Sequence, residues 1–311
     1  PAPSNFTPQV GDDRQITFEG VTKINTDAYF YLPTGDTVTR ESRSGRGLFG
    51  GAMSPSFNDT IDLITIPTMG NSVDFGDIFS GRYTGTCSSS TRAVFGGGED
   101  PSGVTNIMDF VTIATNSDAI NFGDLTEDRR QAAGCSSSTR GLFGGGYTGG
   151  LFQPVTQINV STTGGDSSFG NLQVASRGVS ALGSRTRAVF VGGYEPGYSN
   201  RIQFHSFAHS GTFGTDFGDL TVGMYRAAAF SNETRGIITS GESPSPVPTL
   251  NNIINYITIA SAGDAVDFGD QTITTRNGAG MASPTRGVYF GGAGPSPGST
   301  NTIQYVTIAT I

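Results

Sequence analysis

Apolar and polar residues alternate along this chain in short runs, and the runs recur. Leu63-Ile-Thr-Ile66, Phe110-Val-Thr-Ile113, Tyr256-Ile-Thr-Ile259 and Tyr305-Val-Thr-Ile308 each set a threonine among β-branched and aromatic neighbours. A period of two in such residues predicts strands with one covered face. A second run reads Arg, then Gly or Ala, then two apolar residues and a glycine pair, as in Thr91-Arg-Ala-Val-Phe-Gly-Gly-Gly98. Its arginines are Arg46, Arg92, Arg140, Arg187, Arg235 and Arg286, spaced 46, 48, 47, 48 and 51 residues apart. A third run, Phe-Gly-Asp or Phe-Gly-Asn, begins at Phe75, Phe122, Phe169, Phe217 and Phe268, spaced 47, 47, 48 and 51 apart. Two anchors that keep step define a unit of about 47 residues repeated six times. Nowhere does a capped 3.6-residue apolar stripe appear, so little helix is expected.

Each unit reads as four short strands. The inner one precedes the arginine, as in Arg130-Gln-Ala-Ala-Gly-Cys135. The Arg-to-Gly-Gly run, the Val-Thr-Ile run and the Phe-Gly-Asp run follow as second, third and outer strands. Four antiparallel strands at this period predict an all-β, six-bladed β-propeller. The arginine leads its Phe-Gly-Asp phenylalanine by 29 to 33 residues, which places the sixth outer strand beyond Ile311. Strand-like sequence in residues 15–33 is expected to complete that last blade and close the ring, removing an open sheet edge. On this reading residues 15–311 form one propeller, and residues 1–14 form an arm or tether.

Composition narrows the function. The 311 residues carry a formal net charge of −8, and Lys23 is the sole lysine. No basic stripe is available to neutralise phosphates, so no nucleic-acid partner is expected. Anionic membranes are disfavoured for the same reason. No apolar run reaches the ~18–20 residues of a membrane helix, and no secretory leader pattern opens the chain. Cys87 and Cys135 share a repeat slot with Leu182, Phe230 and Met281, so both are expected to be buried thiols acting as small hydrophobes.

Two repeated polar positions invite a functional reading. Six arginines in one slot would make a ring that grips an anion in the channel. Asp77, Asp124, Asp219 and Asp270, with Asn171 as a variant, share another slot. A feature present in every blade suits a scaffold better than an active site. We therefore expect each arginine to tie strands together through carbonyls or a carboxylate. The glycine pairs lead into strands, whereas a phosphate loop leads into a helix N-terminus. His205 and His209 lie four residues apart on a strand, about 13 Å, too far to chelate one metal. No nucleophile-elbow motif surrounds any serine, and no carboxylate pair stands out. The chain is expected to be no enzyme and to need no cofactor or metal.

Variation collects in the connections between second and third strands, which a propeller presents on one face. Tyr147, Leu151, Phe152, Tyr194 and Tyr198 come from adjacent blades and are candidates for stacking on sugars or anchoring a protein.

The apolar stretch ending in Gly-Gly resembles the kelch repeat, although this chain has no tryptophan. The full unit runs from Thr-Arg-Gly-Leu-Phe-Gly-Gly-Gly through Tyr-Val-Thr-Ile-Ala-Thr to Asp-Phe-Gly-Asp. Over roughly residues 36–311 it resembles repeats in virion structural and tail-fibre-like proteins of tailed bacteriophages, the marine and cyanobacterial type. That resemblance implies a particle component on the virion surface, oligomeric among other virion proteins, and it carries no catalytic residues. The expected role is host attachment through the variable loops, to surface polysaccharide or protein. The alternatives are a purely structural capsid or tail decoration, and a carbohydrate-active enzyme on a propeller scaffold.

Overall fold

A computed structural model describes residues 45–52, 56–80, 82, 84–244, 249–295 and 298–308. Among them the regular elements are all strands, arranged as a six-bladed propeller. Blade two shows the full pattern, in spatial order Gly85–Ser88, Arg92–Asp100, Gly103–Thr112 and Ile120–Asp124, each antiparallel to the next. Blade four (Ser180–Gly183, Arg187–Val191, Arg201–Ser206, Thr215–Asp219) and blade five (Ala228–Ser231, Arg235–Thr239, Ile253–Thr258, Val266–Asp270) repeat it. Blade one is described from its second strand, Arg46–Ala52, and blade six as far as its third, Ile303–Thr307. The proposed closing strand in residues 15–33 and the arm in residues 1–14 lie outside the described residues.

Blade three departs from the four-strand expectation. Thr212–Phe213, from the connection between third and outer strands of blade four, pairs in parallel with its outer strand. The same kind of contact occurs elsewhere without forming a strand. Gly164 donates to Phe122 O at 2.7 Å, and Gly263 donates to Phe217 O at 2.7 Å. One blade's outer strand is thus held by the next blade's loop, and blade four extends that loop far enough to form a short ladder.

The repeat residues have local reasons. Between first and second strands, Ser89, Ser137, Ser184, Asn232 and Ser283 accept a hydrogen bond from the arginine N–H three residues on, at 2.7–3.2 Å. Such a side-chain cap fixes the hairpin turn. The core lies between blades. Phe143 of blade three packs with Val94, Met108 and Phe110 of blade two, and Phe190 of blade four packs with Leu142, Val155 and Phe169 of blade three. Glycine makes the room: a Cβ on Gly96 would sit 2.9 Å from Phe143 Cζ, and one on Gly144 would sit 2.6 Å from Phe190 Cε1. The following glycine turns the chain, with φ of 63° at Gly97, 67° at Gly145 and 62° at Gly192.

Candidate functional site

The six arginines are half-buried spokes that each reach the neighbouring blade. Arg92 donates to Ser161 O at 2.8 Å, Arg187 to Ile259 O at 2.8 Å and Arg235 to Ile308 O at 3.0 Å. Arg46 donates to Ile113 O at 3.0 Å, and Arg140 donates to Phe207 O. Arg286 of blade six returns to blade one, donating to Ile66 O at 3.1 Å and Pro67 O at 2.8 Å. Phe290 and Phe49 meet across the same seam with ring centroids 3.8 Å apart. Five of the six spokes also lie over an aromatic ring of their own blade, among them Arg92 over Phe110 and Arg187 over Phe204, both at 4.5 Å, and Arg286 over Tyr305 at 4.7 Å. With those guanidiniums committed to carbonyls, the ring of arginines is a set of inter-blade ties.

The Phe-Gly-Asp aspartates act through the backbone. Asp77 O accepts from Ala119 N at 2.7 Å and Asp219 O from Ala265 N at 2.8 Å, while the carboxylates of Asp77, Asp124, Asp219 and Asp270 are exposed. Residual desolvation, then Asp59, Asp118 and Asp74 nearby, hold the Asp77 carboxyl above its usual range.

Sequence reasoning missed a third tie. The third strand carries a polar residue at one inward slot: Asp109, Thr156, Gln203, Asn255 and Gln304. Most of them accept a backbone N–H from the preceding blade. Phe79 N donates to Asp109 at 3.2 Å, Gln173 N to Gln203 at 2.7 Å, Thr221 N to Asn255 at 3.4 Å and Thr272 N to Gln304 at 3.0 Å. Asp109 also takes the fully buried Arg82 at 2.6 Å. The available signal was a polar residue interrupting the apolar face at the repeat period.

The channel is walled by inner strands of small residues, among them Gly85, Thr86, Gly134, Ser136, Ala181 and Gly183. Cys87 and Cys135 are buried there and form no disulfide. Burial pushes the Cys87 thiol up, opposed by its hydrogen bonds to Leu142 O and Cys135 O. His205 is 2% exposed between the edges of Phe169 and Phe190, each 5.9 Å away, whereas His209 is exposed.

Symmetry breaks on the face where the glycine pairs emerge. Residues just before the inner strands exchange backbone hydrogen bonds with the residue that follows the glycine pair, or Ser240-Gly241 in its place: Arg130 with Tyr147, Arg177 with Tyr194, and Tyr225 with Glu242. This brings the loop tyrosines together. Tyr194, Tyr198 and Tyr225 meet pairwise at 5.7–6.0 Å between centroids. The Arg177 guanidinium lies 4.8 Å from the Tyr147 centroid, 5.1 Å from Tyr194 and 5.8 Å from Tyr225. Arg226 lies 4.7 Å from the Tyr225 ring. Tyr198 donates to Glu242 at 3.1 Å, and Glu242 also takes Arg276. Burial, then the Glu242 contact, raises the Tyr198 hydroxyl above its usual value.

Toward the axis, Gln131, Gly178, Arg226 and Asn277 all have φ between 56° and 58°. They form a hydrogen-bonded collar: Gly178 N to Gln131 O at 2.9 Å, Arg226 N to Gly178 O at 3.0 Å and Asn277 N to Arg226 O at 3.0 Å. Tyr225 reaches over it to Gln131 at 3.0 Å. Of the five sequence candidates, Tyr147, Tyr194 and Tyr198 belong to this cluster. Leu151 and Phe152 are half-buried where the chain re-enters blade three, with Phe152 N bonded to Gly146 O at 3.0 Å. Arg177, Tyr225 and Arg226 lie outside the variable loops, so loop variation did not find them. Arg130, Arg177, Tyr225 and Arg276 do keep the repeat spacing of 47, 48 and 51 residues, which marks the slot. Neither a known family nor a curated protein matches this chain in sequence.

Proposed function

We propose that this chain is a non-enzymatic surface module of a phage particle that attaches to a host envelope through one propeller face. The observation that carries the reading is the contrast between two sets of side chains. Ties between blades repeat around the ring and are satisfied internally. On one face, the half-buried loop residues Tyr147, Tyr194 and Tyr198 gather aromatic surface from adjacent blades around the Arg177 guanidinium, with the buried Tyr225 packed against Tyr194 and Tyr198 as their support. Aromatic rings with fixed neighbours lose little entropy on binding, and they stack on sugar faces or anchor partner side chains. Antibody labelling of intact particles, with pull-down of the purified chain by host envelope polysaccharide, tests it. Label on the particle and retention by the polysaccharide are expected. Particles without the chain, or breakdown of the polysaccharide by the chain, would overturn the reading.

A structural decoration role is the second reading. It is favoured by exposed apolar residues on or near outer strands, Phe79, Ile120, Phe213 and Val266, each more than half exposed. Labelled particles whose chain retains no envelope material would favour it.

A further inference from the structure

We infer that the Arg177–Arg226 cluster binds a carboxylate-bearing sugar of an acidic polysaccharide, an inference that rests on the attachment reading and names its ligand. The argument begins with where the positive charges go. Six arginines are spent on carbonyls between blades. Arg82, Arg129, Arg130, Arg185, Arg201 and Arg276 pair with Asp109, Asp166, Glu99, Glu233, Glu195 and Glu242. Among the described residues, Arg177 and Arg226 alone have their guanidinium groups on neither a carboxylate nor a carbonyl; both meet aromatic rings instead. They share one ring, lying 5.8 and 4.7 Å from the centroid of Tyr225. The nearby Glu242 carboxylate is already neutralised by Arg276. Two cations without an ionic partner therefore share the Tyr225 ring on a chain whose net charge is −8.

Both are held in place. Arg177 is fixed by its paired backbone bonds to Tyr194, at 3.1 and 2.8 Å, and by three rings. Arg226 is fixed by its left-handed backbone in the collar. A guanidinium presents donors in a planar fork that matches a carboxylate; the Nε of Arg177 and of Arg226 is buried without a partner, so the fork each offers a ligand is its pair of Nη groups. The tyrosines alongside supply the apolar surface that covers the C–H face of a pyranose. A neutral sugar would use the rings and leave two charges unanswered. A bare anion would use the charges and leave the rings unused. A uronate-type sugar uses both. Because the rest of the chain is acidic, a polyanion is repelled at a distance and held only by short-range contact.

The test uses the full chain against three polymers of similar size: polygalacturonate, dextran sulfate and neutral dextran. Polygalacturonate is expected to bind at about 0.15 M salt, where the long-range repulsion is screened and the short-range contacts persist. Arg226→Gln is expected to weaken it roughly tenfold or more, the loss of a charge-assisted bond. That variant should fold, since Gln131 holds the same backbone conformation in blade three; an unchanged unfolding midpoint verifies this. Arg177→Lys, which keeps the charge and loses the fork, should weaken binding as well. Equal retention of dextran, or of dextran sulfate, would overturn the carboxylate assignment, as would wild-type affinity in both variants. Retention of host envelope polysaccharide is measured in parallel. If both variants keep it, the inference falls and the attachment reading stands; if the unaltered chain never shows it, the attachment reading falls.

Discussion

His205 is the side chain through which acid should weaken this ring. It faces Ala188 on the third strand of blade four, where the other blades place Ile64, Val111, Ile158, Ile257 and Val306. Neither ring nitrogen has a partner, and burial lowers its pKa from 6.5 to about 4. Between those values the unfolded chain takes up a proton that the folded chain refuses. Stability is therefore whole above pH 6.5 and declines as pH falls toward 4. At about 1.4 kcal/mol per tenfold difference in proton affinity, the full loss is about 3 kcal/mol, and about 2 kcal/mol of it falls between pH 7 and pH 4.5. His205→Ile restores the residue of the other blades and removes two buried nitrogens that lack hydrogen bonds. At pH 7 the variant should be at least as stable as the parent. Urea denaturation of both proteins at pH 7 and pH 4.5 isolates the term, because carboxylates titrating in the same range are common to both. The gap in unfolding free energy should widen by about 2 kcal/mol at the lower pH. Parallel shifts would show that His205 accepts a proton in place, and the linkage argument would be wrong.

Three further perturbations address the ties. Arg187→Met gives up the bond to Ile259 O and the stacking on Phe204, and should cost about 2 kcal/mol in denaturant unfolding; no change would mean that the spoke is idle. Asp109→Ala strands the buried Arg82 and should cost about 3–5 kcal/mol, whereas Arg82→Met with Asp109→Leu should recover most of it; a double variant as unstable as the single would contradict a charge penalty. Gly97→Ala adds a Cβ 2.6 Å from Arg129 O at a φ of 63°, and should lower the thermal midpoint by several degrees, while the same change at the open, exposed Gly150 should do little.

Local chemistry is what the sequence carries. Alternation, the Ser-x-Thr-Arg turn, the glycine pairs and the Phe-Gly-Asp run depend on neighbours a few residues away, and they dictated strands, hairpins and a count of six. The arginine spokes show where that reach ends. Arg187 and its acceptor Ile259 stand 72 residues apart, and Arg286 and Ile66 stand 220 apart. Periodicity marks the slot, but the partner carbonyl exists only once one blade lies against the next and the ring returns to its start. The polar slot of Asp109 and Gln203 has the same origin, since its donors belong to the preceding blade. The binding face is the most tertiary feature. Loop variation marks Tyr147 and Tyr194 but not Arg177 and Tyr225, and nothing in the three repeats they come from says that the four meet. Blade-to-blade pairing beside the glycine turns brings them together, because a rigid ring fixes the distances between loops that the chain alone leaves free.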